Sequence, residues 1–136
     1  MLKFLLLTGL AWVLAPVHLQ TLWGSQKSGS IDSLTARAIL DSPLQVRDEQ
    51  GNSYTITRFR FSYRQKSEFQ DSAGKTITDF RLFSKEFYDA TVIDTLWRNT
   101  IAPELQSGET FYMDHIVVKS ADGKKLLAPD LQIDIQ

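Results

Sequence analysis

The sequence predicts a mainly β protein, an antiparallel β-sandwich with one or two short helices behind an N-terminal signal segment. Three observations predict it. Six or seven short runs of alternating apolar and polar residues recur at roughly 8–15-residue spacing. Turn clusters rich in Gly, Asp and Asn separate them. The 136 residues, 43% of them hydrophobic, suffice for one domain's core and leave no room for a second full domain.

The first residues form a different kind of segment. Lys3 is the only charge before Lys27, and Phe4 to Val17 carries almost no polar side chain. A short positive start followed by a short apolar stretch is the pattern of a signal peptide. A membrane-spanning helix needs about 20 apolar residues, and Pro16, His18 and Gln20 interrupt before that length. Residues 1–24 are therefore expected to be a signal peptide. An uncleaved anchor and a folded N-terminal helix are the alternatives. Cleavage is expected after Ala15 or around Leu22-Trp23-Gly24, and the domain is expected to occupy residues 25–136.

Along that domain, residues 24–30 (GSQKSGS) read as a flexible lead-in. Residues 34–40 read as a short helix with Ser33 or Asp32 where a cap belongs, Leu34, Ala38 and Ile39 on one face and Pro43 closing the stretch. Leu44 and Val46 mark a strand, and residues 48–52 a turn. Residues 53–66 form the clearest strand. Tyr54 and Ile56 share one phase, and Phe59, Phe61 and Tyr63 continue one residue out of step. Either a β-bulge near Thr57-Arg58 realigns them or the strand is buried on both faces. Residues 71–75 form a hairpin loop, and the chain returns through Ile77, Phe80 and Leu82. Residues 84–90 fit no pattern. Residues 94–100 read as one or two helical turns, with Asp94 where a cap belongs. Residues 109–119 are a second clear strand, again slipping by one residue between Met113 and Ile116. A tight turn at 121–124 and alternation through Leu131, Ile133 and Ile135 end the chain.

Charge and composition narrow the functions. The formal net charge of −1 and the absence of a basic stripe argue against a nucleic-acid partner. The absence of cysteine excludes disulfides, thiolate catalysis, cysteine-ligated zinc and a lipidated N-terminal cysteine. His115 is the single histidine beyond the leader, and it reads as a half-exposed strand residue beside Asp114. Asp79, Glu86, Asp89, Asp94, Glu104, Asp114 and Asp130 are scattered singly, and no nucleophile elbow, phosphate loop or dinucleotide fingerprint occurs. The expectation is no enzymatic activity, no metal and no cofactor.

Two candidate sites stand out. Phe59, Phe61 and Tyr63, interleaved with Arg58, Arg60 and Arg64, form a candidate binding face for rings or sugars. Core packing is the commoner role for such a strand. Asp32-Ser33-Leu34, Asp71-Ser72-Ala73 and Asp94-Thr95-Leu96 match the short acidic–hydroxyl–apolar acceptor of O-glycosylation in Bacteroidetes envelopes. Of these, Ser72 lies in a presumed exposed loop.

The stretch Leu105-Gln106-Ser107-Gly108-Glu109 through Val118, the turn Ala121-Asp122-Gly123-Lys124 and the closing Leu127-Ala128-Pro129 together resemble the C-terminal domain of the gliding-motility and type IX secretion protein GldM. Ser107 stands where that family has Pro, and Glu109 where it has Asp. Residues 29–40 and 56–59 match its earlier landmarks more loosely. The resemblance implies an immunoglobulin-like sandwich, a periplasmic or outer-envelope location in a Gram-negative bacterium, another envelope protein as partner and no reaction catalysed. A free-standing, single-domain version of that tip domain is expected to dock onto an envelope protein. A small-ligand or glycan-binding role for the aromatic face is the alternative. Contact with the membrane is expected only through an uncleaved N-terminal segment.

Overall fold

The computed structural model describes residues 17–136, so the apolar core of the expected signal segment lies outside the described residues. The segment's end does not. Leu19–Trp23 form strand β1, which pairs antiparallel with Leu44–Asp48 (β3) over five residues. Trp23 is 1% exposed and meets Phe61 edge-on at 5.7 Å and Phe111 at 5.4 Å. The domain boundary expected at residue 25 is thus corrected to no later than Leu19. A cut at Leu22-Trp23-Gly24 would remove both a strand and a core anchor.

The remaining elements are β2 (Gly29–Ile31), α1 (Ser33–Ile39), β4 (Ser53–Gln70), β5 (Thr76–Tyr88), α2 (Thr95–Ile101), a 3₁₀ turn (Ala102–Glu104), β6 (Thr110–Lys119), β7 (Lys125–Leu127) and β8 (Leu131–Ile135). The strands form one curled sheet in the order β1-β3-β4-β6-β8-β2, with β5 on β4 and β7 on β6. It is mixed rather than wholly antiparallel. β2, expected as part of a flexible lead-in, runs parallel to β8 and is fastened by Gln136 N–H donating to the Ile31 carbonyl at 2.8 Å. The fold is therefore mainly β with two short helices.

β4 is the spine, and the two phase slips in the sequence explain its shape. Its register with β6 passes from Ile56↔Val118 to Arg58↔Val117 and then to Arg60↔Asp114. The first step inserts an extra residue in β4 and the second an extra residue in β6. Bulges bend a strand and increase its twist. Their effect here is that Ile56, Phe59, Phe61 and Tyr63 face the same buried side as Phe111, Met113, Ile116 and Val118. The alternative of a strand buried on both faces does not hold.

Both helices are capped by aspartates. Of the two acceptors at that start, Asp32 caps α1, through Thr35 N–H at 2.7 Å, and Ser33 is the first helical residue. With that start, Ala36, Ile39 and the following Leu40 face inward, while Leu34 is 73% exposed and Ala38 faces solvent. The expected face was rotated by this difference in register. Asp94 caps α2 through Trp97 N–H at 2.9 Å, as its position predicted.

β5 runs on through residues 84–88, where Phe87 stacks on Phe59 at 5.1 Å. β6 accompanies β4 only as far as Arg64↔Thr110, but the β4–β5 ladder continues to Gln70↔Thr76. The hairpin therefore projects beyond the sheet as a two-stranded arm.

Candidate functional site

The expected aromatic face assembles, but inward. Phe59 and Phe61 are fully buried and Tyr63 is 3% exposed, so the three share a face and that face is the core. As an open binding platform they are corrected: a ligand would have to displace the packing of Trp23, Phe87 and Phe111 to reach them. Alternation identified their common side but not what covers it.

Apolar side chains that do reach solvent concentrate elsewhere. Among the described residues, six of the ten large exposed ones lie on β4 and β5: Phe69, Ile77, Phe80, Leu82, Phe83 and Tyr88. On the inner side of this ladder, α2 crosses and leaves a groove of about 380 Å³. Its floor is Tyr63 and Gln65 of β4 and Phe83 of β5. Its wall is Leu96, Trp97, Thr100 and Ile101 of α2, and Glu104 of the 3₁₀ turn closes one end. Trp97 is held edge-on to Phe61 at 5.9 Å, which ties the wall to the core. Gln65 Nε2 donates to Glu104 Oε2 at 3.2 Å across the floor. That volume lies within the range of small-ligand and peptide side-chain sites. A second hollow, between β3, the start of β4 and the turn at Asp89, takes its apolar lining from core residues such as Val46 and Ile56. Its phenol, Tyr54, is already bonded to Asp48 at 3.3 Å.

Beneath the groove sits a residue the sequence did not single out. Glu109 is the only charged side chain buried among the described residues. Its Oε1 accepts from the Tyr63 hydroxyl at 2.6 Å and Gln106 N–H at 2.8 Å, and its Oε2 accepts from Lys66 N–H at 2.8 Å. Burial, together with the hydrogen bond to Glu109, pushes the Tyr63 hydroxyl well above its ordinary 10.0. The one signal available was the glycine–acid pair Gly108-Glu109.

The scattered acids go to separate partners. Asp114 forms a two-pronged pair with Arg60 at 2.8 and 2.7 Å, and that guanidinium holds its carboxyl below the ordinary range. Glu86 takes Tyr88 and Arg58, and Asp94 takes Lys85 at 2.6 Å besides capping α2. His115 is exposed, 3.5 Å from Arg60 Nη2, with a cation rather than a hydroxyl as its neighbour. No group of three or more metal-ligating side chains gathers among the described residues. Ser72 is exposed at the tip of the arm, where Asp71 accepts from Ala73 and Lys75 N–H groups at 2.9 Å. Ser33 and Thr95, from the two similar tripeptides, open α1 and α2. No known protein-family model matches the chain, and no curated protein matches it.

Proposed function

We propose that this chain is an exported, non-enzymatic domain of a Gram-negative envelope that docks onto another envelope protein through the groove between α2 and the β4–β5 ladder. The observation that carries the reading is the exposure of Leu96 (74%) and Phe83 (43%) beside the half-buried Trp97, on a wall tied to the core. Apolar side chains left in water on a rigid frame mark a surface that gains by being covered. Side chains of the partner enter the groove, and Gln65 and Glu104 offer polar contacts at its end. The resemblance of residues 105–129 to the GldM C-terminal domain supports the envelope setting and the immunoglobulin-like sandwich as the parent of this curled sheet. Ser72, exposed on the arm, is the residue we assign to O-glycosylation in that setting.

A second reading is favoured by the composition of the same groove. Tyr63, Phe83 and Trp97 beside an amide and a carboxylate also suit a sugar ring. Leu96→Asp separates the readings, with Leu127→Asp as control because Leu127 is equally exposed on β7 (72%). Captured from envelope extracts, the wild type and Leu127→Asp should retain one shared protein that Leu96→Asp loses. If all three retain the same proteins while a glycan binds only the wild type and Leu127→Asp, the docking reading fails and the sugar reading stands.

A further inference from the structure

β5 is thirteen residues long and solvent-exposed from Thr76 to Lys85, and no strand lies along its outer edge among the described residues. A long, unbulged edge is a template for another strand. The direction of its backbone groups can be read from the ladder. Phe80 lies opposite Lys66. Lys66 sends its N–H to Glu109 and accepts at its carbonyl from Gln106 Nε2 at 3.1 Å, so both groups turn away from β5. Lys66 and Phe80 are therefore a non-hydrogen-bonded pair, and the N–H of Phe80 points off the free edge. There Asp79 Oδ1 accepts it at 2.9 Å, a local substitute for a missing strand. By alternation, the free backbone groups belong to Thr76, Thr78, Phe80, Leu82 and Ser84.

We propose that a second copy of this chain fills that edge, β5 pairing antiparallel with β5 of the partner about a two-fold axis at Phe80. The sequence is self-complementary in this register. Asp79 lies opposite the partner's Arg81, and Arg81 opposite the partner's Asp79. Ile77 lies opposite the partner's Phe83, Thr78 opposite the partner's Leu82, and Phe80 opposite its own counterpart. A shift of two residues toward the C-terminus sets Arg81 against the partner's Arg81 and leaves Asp79 opposite the partner's Phe83. A shift of two the other way sets Asp79 against the partner's Asp79.

The pairing accounts for the exposed arm. Phe69 and Ile77 are opposite each other on the inner side of the β4–β5 ladder, the side that bears Phe83. In the dimer, Ile77 and Phe69 of the partner subunit extend that apolar surface beside Phe83, so each groove gains its outer wall from the other chain. The dimer stands whether or not the groove takes a protein.

The test uses the full chain in solution. Sedimentation should give twice the 15.5 kDa chain mass. Because the native sequence has no cysteine, Phe80→Cys should give a disulfide-linked dimer under mild oxidation. Ser72→Cys, far from the axis at the arm's tip, should not. Asp79→Arg, which sets like charges opposite each other twice, should weaken the dimer about tenfold. Asp79→Arg combined with Arg81→Asp should restore it, a rescue that a folding defect would not show. A monomer at about 100 μM with Phe80→Cys no more cross-linked than Ser72→Cys, or a dimer indifferent to Asp79→Arg, would overturn the proposal.

Discussion

Glu109 joins its own loop, at Gln106, to a strand more than forty residues away, at the Tyr63 hydroxyl and the Lys66 backbone. A buried carboxylate is tolerable only when each lone pair has a donor. Gly108, at φ +93°, turns the chain so that Glu109 can enter, with its own N–H on the Ile135 carbonyl at 2.8 Å. Removing the carboxylate leaves three donors without their acceptor, one of them fully buried, while removing the phenol hydroxyl deletes one bond. Glu109→Ala should therefore cost about 3 kcal/mol or more in urea unfolding, and Tyr63→Phe about 1–2 kcal/mol. Equal losses would mean that the Tyr63 bond is the whole of the clamp. In the sequence the acid after Gly108 is visible, but nothing distinguishes it from a solvated turn residue, because burial of one side chain is decided by strands far along the chain.

At the scale of elements, what the sequence discloses depends on whether a local pattern has one physical cause. The slips at Thr57-Arg58 and between Met113 and Ile116 located an irregularity but left two causes open, an inserted residue or burial on both faces, and the bulges occur there. The aspartate cap of α2 was legible. Three elements were not. β1 continues an apolar run that reads as a leader in the sequence, β2 is glycine and serine with little side-chain pattern, and Ser84-Lys85-Glu86 hides the end of β5 because that edge faces water. The β6 bulge also gives a test. His115 sits at φ +49°, a conformation that costs most L-residues roughly 1–2 kcal/mol and β-branched ones more. His115→Gly should leave stability unchanged or raise it by up to about 1 kcal/mol, and His115→Val should lower it, as read from thermal melts. A large loss in His115→Gly would show that the imidazole holds the bulge through contacts of its own.

For the whole molecule, alternation specified which residues of β4, β6 and β8 share a side, and with them the middle of the core. It could not specify which sides are covered. Phe59, Phe61 and Tyr63 pack as core, the commoner role for such a strand, whereas Phe83, Leu96 and Trp97 line the open groove where α2 crosses the β4–β5 ladder. The groove required the tertiary placement of α2 against β4 and β5 and had no signature in any one of them. The parallel β2–β8 pair similarly depends on the chain's two described ends coming together.

The docking account is tested most directly by a photo-cross-linking residue placed at Leu96 in the native envelope, with Leu127 as the reference position. The account predicts one discrete cross-linked envelope protein from Leu96 and none of that species from Leu127. The same products from both positions, or none from Leu96, would contradict it.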